Sequence, residues 1–161
     1  MTKRHPGKPI SVASSLLVLI SLAGFAYGKR QTTDVPPFQY VAGTEDLAQG
    51  CSGKLEVLKD GLAFACPAGS VNVPFAAITL MQYRPDVSKQ VLRMNIAWKV
   101  QPPVVKRLRN SQYFAVLYTA QGAVHALVLK VEPLQMRPYL AEIELQSGKS
   151  VQVYRSYEEL E

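Results

Sequence analysis

The residues of this chain whose types suit acid–base chemistry are His125 and Tyr118. A β-hairpin turning at Gln121-Gly122 places them opposite each other, and a histidine beside a phenol is able to act as a general base. No motif ties a Ser or Cys nucleophile to His125, and nucleophilic catalysis requires such a partner. We therefore favour a histidine that satisfies its hydrogen bonds within the sheet, with an enzyme of unknown reaction as the alternative.

The spacing of the carboxylates does not indicate a catalytic pair. Glu142 and Glu144 lie two positions apart on a predicted helix, so they point to different faces. Glu45-Asp46 and the glutamates at the C-terminus are the other available carboxylates. The chain also lacks a glycine-rich phosphate loop and an H-E-x-x-H signature. We therefore expect no catalytic residues and no cofactor.

Two cysteines, Cys51 and Cys66, are separated by 14 residues. They form no C-x-x-C motif, and two Cys with a distant His do not make a zinc site, so we expect no metal. In an exported domain they can form a disulfide worth about 3 kcal/mol, the alternative being two separate buried thiols. A hairpin turning at Asp60-Gly61 places Leu55 opposite Cys66. The glycines near Cys51 allow it to fold back over the start of that strand.

One local cluster of basic residues alternates with apolar residues in a proline-containing loop. Its basic members are Lys106, Arg107 and Arg109. Such a mixture is able to contact an anionic membrane, at about 1 kcal/mol per basic residue near the surface. The alternative is an ordinary solvated loop.

Residues 1–28 have the composition of a targeting segment. Basic residues precede an apolar or small run over 10–26, and Ala26-Tyr27-Gly28 then offers a small-x-small site. This pattern is typical of a signal peptide cleaved after Gly28. The run also falls within the range of roughly 17–25 residues that spans a bilayer, so an uncleaved hydrophobic helix that anchors the chain is the alternative. In both cases we expect a domain outside the cytoplasm, either secreted or periplasmic or anchored to the membrane.

The formal net charge of the 161-residue chain is +6, but the excess is not spread over the domain. Lys3, Arg4 and Lys8 carry half of it, and residues 1–28 contain no Asp or Glu. Nucleic-acid binding needs a clustered basic face, which the small remaining surplus does not provide, so we expect no nucleic-acid partner. The length fits one ordinary domain with an appendage.

The clearest strand signal is the run 91–100, which contains the only tryptophan, Trp98. Apolar and polar residues alternate along it, and this period of two predicts a half-buried strand near the centre of the core. The same pattern predicts a first hairpin over 53–66 and single strands over 70–75 and 78–84.

A second hairpin is expected over 112–131, turning at Gln121-Gly122. Its register pairs apolar residues on one face, which we take as the core side. The expected pairs are Phe114 with Leu129, Val116 with Leu127, and Tyr118 with His125.

After Pro133 the apolar residues follow the period of a helix. Pro138 is tolerated only in a first helical turn, so we expect the helix to begin near Gln135 and to stop at Gly148. A last strand is expected over 150–154. The expected boundaries are a targeting segment over 1–28, a polar linker with a proline pair over 29–43, a folded domain over 44–155 and a tail over 156–161.

Three stretches of the chain carry a resemblance to a known family. They are Gly53–Val57 with Gly61–Phe64, Ser70–Phe75 leading to Ile78, and Leu140–Leu145 before Ser147-Gly148-Lys149. Over about residues 43–155 the chain resembles the pleckstrin-homology-like (PH-like) barrels, particularly small bacterial and GRAM-like ones. The resemblance implies a mainly β (α+β) fold, namely a partly open antiparallel barrel of about seven strands closed by one C-terminal helix.

The same resemblance implies a binding scaffold for phosphoinositides, acidic lipids or protein segments. Its lipid-binding members carry a basic cluster in the loop joining their first two strands, whereas here that loop is Lys59-Asp60-Gly61, with one Lys and one Asp. We therefore expect a non-enzymatic, extracytoplasmic module that binds a protein partner. The alternative is a peripheral binder of acidic lipid surfaces through Lys106, Arg107 and Arg109.

Overall fold

The computed structural model describes residues 37–102 and 112–154. The strands are β1 (Phe38–Gly43), β2 (Ser52–Val57), β3 (Gly61–Cys66), β4 (Gly69–Pro74), β5 (Ile78–Arg84), β6 (Gln112–Ala120), β7 (Ala123–Val131) and β8 (Gln152–Val153). The helices are α1 (Lys89–Arg93) and α2 (Pro133–Ser147), and a 3-10 turn spans Phe75–Ala77. The expected N-terminal helix, the loop with Lys106, Arg107 and Arg109, and the tail over 156–161 lie outside the described residues.

The eight strands form one sheet in the order β4-β3-β2-β1-β7-β6-β5-β8. Neighbouring strands are antiparallel except β5 and β8, which run parallel. The sheet does not close on itself, and β4 and β8 are its two edges. The expectation of a mainly β domain with one C-terminal helix is confirmed, with eight strands instead of about seven.

Strand β1 lies between β2 and β7, in the middle of the sheet. The sequence pattern assigned its six residues to the linker over 29–43, and this part of the linker prediction is wrong. A bulge between Tyr40 and Ala42 explains the missed signal, because it interrupts the alternation of apolar and polar positions. Phe38 and Tyr40 are buried on one face of the sheet, and Ala42 is buried on the other.

The first hairpin consists of β2 and β3, as expected, but its turn is displaced. The Leu58 amide donates to the Gly61 carbonyl at 2.8 Å, so the turn residues are Lys59 and Asp60. Leu55 consequently faces Phe64 and not Cys66. Gly61 is the first residue of β3 and pairs with Pro74 of β4. Glycine is required at this position because a side chain would collide with the backbone of Val73 on β4.

The second hairpin, β6 and β7, has the expected register throughout. Phe114 faces Leu129, Val116 faces Leu127 and Tyr118 faces His125. The turn residues Gln121 and Gly122 have positive φ angles of 51° and 78°, as a two-residue hairpin turn of type I′ requires.

This hairpin is buried on both faces, because a second core covers the face that was expected to meet solvent. Ala115, Leu117 and Val128 lie in that second core, with Val91 and Ile96 packed over them. The side chains of the first core lie on the opposite face, with Phe114, Val116 and Leu129 among them.

The expected strand over 91–100 is absent. Residues 89–93 form α1, capped by the Ser88 hydroxyl, which accepts from the Val91 amide at 3.2 Å. The following residues pack against the sheet through tight turns, in which the Ile96 amide donates to the Met94 carbonyl at 2.9 Å and the Trp98 amide to the Ile96 carbonyl at 3.0 Å. The segment pairs with the sheet only where Val100 bridges Gly43. The alternation there reflects a segment that covers the sheet with every second side chain, and Trp98 is half-buried in it.

Helix α2 begins two residues earlier than expected. Pro133 occupies its first position, where no amide proton is needed, and the Glu132 carbonyl accepts from the Gln135 and Met136 amides. Pro138 therefore lies beyond the first turn, on the exposed side of the helix, where water can satisfy the carbonyl it leaves unpaired. Gly148 ends the helix with a φ of 64°, as expected.

The last strand is shorter than the expected 150–154 and joins an edge of the sheet. Gln152–Val153 pairs parallel to β5, and the Tyr154 amide donates to the Tyr83 carbonyl at 3.0 Å. The Gln82 amide nitrogen also donates to the side-chain oxygen of Gln152 at 2.9 Å.

Candidate functional site

A group of polar side chains lies where β1 leaves the sheet, beside the turn of the second hairpin. We call Thr44, Glu45, Tyr118 and His125 the Glu45 cluster. Thr44 follows β1 and still pairs with β7, since its amide donates to the Ala126 carbonyl at 3.0 Å. The Ala126 amide returns a bond to the Thr44 hydroxyl at 3.2 Å. This pairing places Glu45 over the hairpin.

One carboxylate oxygen, Oε1 of Glu45, is the centre of the cluster. It accepts hydrogen bonds from the Tyr118 hydroxyl and, at 2.9 Å, from the Thr44 hydroxyl. His125 Nδ1 lies 3.4 Å from the same oxygen and 3.1 Å from the Thr44 hydroxyl. Because Thr44 gives its single proton to Glu45, we assign a proton to His125 Nδ1, which then donates to Thr44.

Two further features hold this corner of the fold. The rings of Tyr118 and His125 stack with their centroids 5.3 Å apart. At Gly43, a side chain would collide with the Ala126 carbonyl and lie 2.7 Å from the Tyr40 hydroxyl. The close approach of β1 to β7 therefore requires glycine at that position.

Burial keeps the phenols of this region protonated. Removal from water raises the pKa of Tyr40 to about 12, and the negative charge of Glu45 acts in the same direction. The Tyr40 hydroxyl donates to the Glu45 carbonyl. Burial and the adjacent Glu45 carboxylate also raise the pKa of Tyr118 above its usual value. Both hydroxyls therefore remain donors at neutral pH.

We expect the domain to lose stability as the pH rises from about 10 to about 12. In this window an unfolded tyrosine releases its proton while folded Tyr40, with a pKa of about 12, keeps it. The free energy of unfolding then falls by about 2–3 kcal/mol, whereas below about pH 10 this contribution is fully present. Urea midpoints across this range measure the effect.

The matched variants for this titration are Tyr40→Phe and Tyr154→Phe. Tyr40→Phe should make the alkaline decline less steep, and the decline that remains is due to Tyr118 and Tyr113, whose pKa values are also raised by burial. Tyr154 is 45% exposed, so the Tyr154→Phe protein should show the same alkaline decline as the wild type. An equally steep decline in all three proteins would contradict the assignment to Tyr40.

The chemistry that this cluster can perform is limited by its own bonds. The Thr44 hydroxyl contacts Glu45, His125 and Ala126, and the residue is 7% exposed, so it does not present a free nucleophile. His125 satisfies Nδ1 within the cluster, in agreement with the interpretation favoured from the sequence. The arrangement fixes the end of β1 to the hairpin.

Sequence reasoning placed Tyr118 opposite His125 but named Glu45 only as one of the available carboxylates and missed Thr44. These two residues lie about 80 positions away along the chain. Only the pairing of β1 with β7 brings them together, and β1 itself had been assigned to a linker.

The sulfur atoms of Cys51 and Cys66 lie at bonding distance, with 6.0 Å between the Cα atoms. The disulfide interpretation is confirmed over that of two separate thiols. Gly53 makes room for the bridge, because a side chain there would come within 2.8 Å of the Cys66 Cβ. The bond ties the segment before β2 to the end of β3.

Helix α2 carries apolar residues on two opposite faces. Met136 and Ile143 are fully buried against the first core. On the other side, Leu134 is 75% exposed and Leu145 is 81% exposed. Exposed Pro138 and Ala141 lie between them on the same face, and we call these four residues the outer stripe. The sequence pattern had suggested only the inner face.

The last predicted binding site is the basic cluster in the proline-containing loop. Lys106, Arg107 and Arg109 lie outside the described residues, so their role stays a prediction. Within 37–102 and 112–154, no three His, Cys, Asp or Glu side chains lie close enough to hold a metal ion. No helix in the same ranges has both the length and the apolar character needed to cross a membrane.

No protein-family model matches the chain, and no curated protein is significantly similar to it.

Proposed function

We propose that this chain is an extracytoplasmic, non-enzymatic module that binds other proteins on a PH-like scaffold. The strand order supports the scaffold, because two antiparallel meanders, β1–β4 and β5–β7, join through β1 and β7 and are followed by one helix. The Cys51–Cys66 pair supports the location, because disulfides persist in oxidising compartments. The targeting pattern over 1–28, whether cleaved or retained as an anchor, agrees with this location.

The outer stripe is the observation that carries the binding role. A single exposed leucine is common on protein surfaces, but two on one helix face with Pro and Ala between them make a continuous apolar patch. Leu134 and Leu145 expose most of their side chains to water. Hydration of apolar side chains is unfavourable, so a partner that covered them would gain binding free energy. Such a stripe is the surface that an apolar protein groove or helix recognises.

The polar candidates support the non-enzymatic part of the proposal. Hydrogen bonds within the Glu45 cluster join the carboxylate, the threonine hydroxyl and the histidine Nδ1. A catalytic group must instead reach a substrate atom. We therefore assign the cluster to the stability of the fold.

The test compares capture of partner proteins by the tagged full-length protein and by its Leu134→Asp/Leu145→Asp variant. Charges on the stripe should reduce recovery of wild-type-specific partners by about tenfold or more, because a carboxylate cannot be desolvated against an apolar surface. Leu92→Asp is the matched control, since Leu92 is 48% exposed but lies on α1. Equal recovery with all three proteins would overturn the proposed role of the stripe.

A second candidate, binding to acidic lipid surfaces, is favoured by the distribution of charge along the chain. Of the charged residues over 84–109, only Asp86 is acidic. Lys89 and Arg93 are exposed one turn apart on α1, in the same stretch as Lys106, Arg107 and Arg109. The wild type, Leu134→Asp/Leu145→Asp and a variant with Lys106, Arg107 and Arg109 reversed in charge are therefore tested for sedimentation with phosphatidylserine vesicles at low salt. Binding that survives Leu134→Asp/Leu145→Asp but is lost on charge reversal of the three loop residues would favour this candidate over the first.

A further inference from the structure

We infer that the outer stripe binds a second copy of this chain, with the two α2 helices antiparallel. This inference rests on the proposed protein-binding function and names the partner. It depends on the order of residue sizes and charges along the helix, which is self-complementary in one orientation.

The residue sizes fit a two-fold axis through the middle of the helix. The stripe has its large members, Leu134 and Leu145, at the ends and Pro138 and Ala141 at the centre. When two copies pack antiparallel, each Leu134 lies beside Leu145 of the second copy. Small residues at the centre allow the helix axes to approach to about 8–10 Å.

The charges beside the stripe select the antiparallel orientation. At 100° per residue, Arg137 and Glu144 flank one side of the stripe, and Glu142 flanks the other. In an antiparallel pair Arg137 lies about 3 Å along the axis from Glu144 of the second copy, and the contact occurs twice. In a parallel pair, Glu142 would instead lie next to Glu144 of the second copy, which is repulsive.

Arg137 is available for this contact. It is exposed, and within 37–102 and 112–154 it forms no ion pair. Glu144 is also exposed, and its Oε1 accepts the Val151 amide at 2.9 Å, which orients the carboxylate while its charge remains. The Val151 contact thus holds the Glu144 carboxylate in place before Arg137 of the second copy binds to it.

The size of the contact sets its strength. A helix of 15 residues is only about 22 Å long, so this pair buries less than the roughly 1,600 Å² of a standard stable interface. We therefore expect a weak dimer that forms when copies are concentrated, as on a membrane to which an N-terminal segment tethers them.

The geometry is tested with variants of the full-length protein that each carry one added cysteine and are treated with a short bismaleimide cross-linker. The native cysteines are bonded to each other and do not react. Ala141→Cys lies close to the two-fold axis and should cross-link to itself. Leu134→Cys should not, because its two copies lie about 16 Å apart, but it should cross-link to a differently tagged Leu145→Cys protein.

Two controls make the outcomes decisive. Lys54→Cys, on an exposed strand position, sets the yield of random collisions. Adding Arg137→Glu to Ala141→Cys should lower the dimer yield about fivefold, as expected for the loss of two exposed ion pairs. Self-cross-linking of Leu134→Cys would overturn the antiparallel arrangement.

The dimer and the general binding role can fail separately. If Ala141→Cys yields no more dimer than Lys54→Cys but forms an adduct with a different protein, the dimer is wrong and the protein-binding function stands. If it yields neither, and Leu134→Asp/Leu145→Asp also captures partners like the wild type, both proposals are wrong.

Discussion

Replacing Cys51 and Cys66 together by serine should lower the free energy of unfolding by about 3 kcal/mol. The bridge joins residues 15 positions apart, and cross-linking a loop of that size restricts the unfolded chain by about this amount. The loss is a large fraction of the 5–15 kcal/mol that stabilises a typical domain. We therefore expect the folded double variant to accumulate at a much lower level than the wild type.

The measurement is urea unfolding of the full-length protein, followed by the fluorescence of Trp98, which packs against the second core. A reducing agent should lower the midpoint of the wild type to that of the double variant and leave the variant unchanged. The control is the single variant Cys51→Ser, which lacks the disulfide but keeps the sulfur of Cys66. It should have the same midpoint as the double variant. If the reducing agent does not shift the wild-type midpoint, the bridge does not form in the native protein.

Replacing Glu45 by leucine should lower the free energy of unfolding by about 3 kcal/mol. The carboxylate is the acceptor for the hydroxyls of Tyr118 and Thr44. Tyr118 is 5% exposed and Thr44 7% exposed, so water cannot easily replace the lost acceptor. A buried donor left without a partner costs about 1–3 kcal/mol, and more when the lost bond was to a charge.

The neighbouring carboxylate provides a matched control. The Asp46 side chain is 88% exposed and pairs with Lys99 at the surface, so Asp46→Asn should change stability by less than about 1 kcal/mol. Urea unfolding of Glu45→Leu, Tyr118→Phe and the double variant then measures their coupling. We expect the double variant to be more stable than additivity predicts, because the donor and the acceptor are removed together. If Glu45→Leu costs no more than Asp46→Asn, the cluster does not stabilise the fold.

Local patterns were sufficient where the elements are adjacent in the chain. The second hairpin was predicted with its register because Gln121-Gly122 sets the turn and a shift of one residue would move every apolar side chain to the wrong face. The first hairpin was predicted with a displaced turn. Asp60-Gly61 has the composition of a hairpin turn, but Gly61 is required in the strand by its contact with β4.

Alternation alone misled the prediction around Trp98. A period of two also arises when an irregular segment lies over a sheet and inserts every second side chain, as Ile96 does. The local signal at Ser88, a helix cap followed by Lys89 and Gln90, was the stronger indicator of structure there. The same segment buries the outer face of the second hairpin, which no local pattern could show.

Short-range patterns were enough to predict the mainly β class, the two hairpins, and the C-terminal helix with its stop at Gly148, and they favoured a disulfide between Cys51 and Cys66. These depend on turn chemistry and on periodicity over a few residues. The central place of β1, the Glu45 cluster and the exposure of Leu134 and Leu145 became known from the folded structure. Each of these depends on which surfaces meet across 40 or more residues of chain, and burial is a property of those distant contacts and not of local sequence.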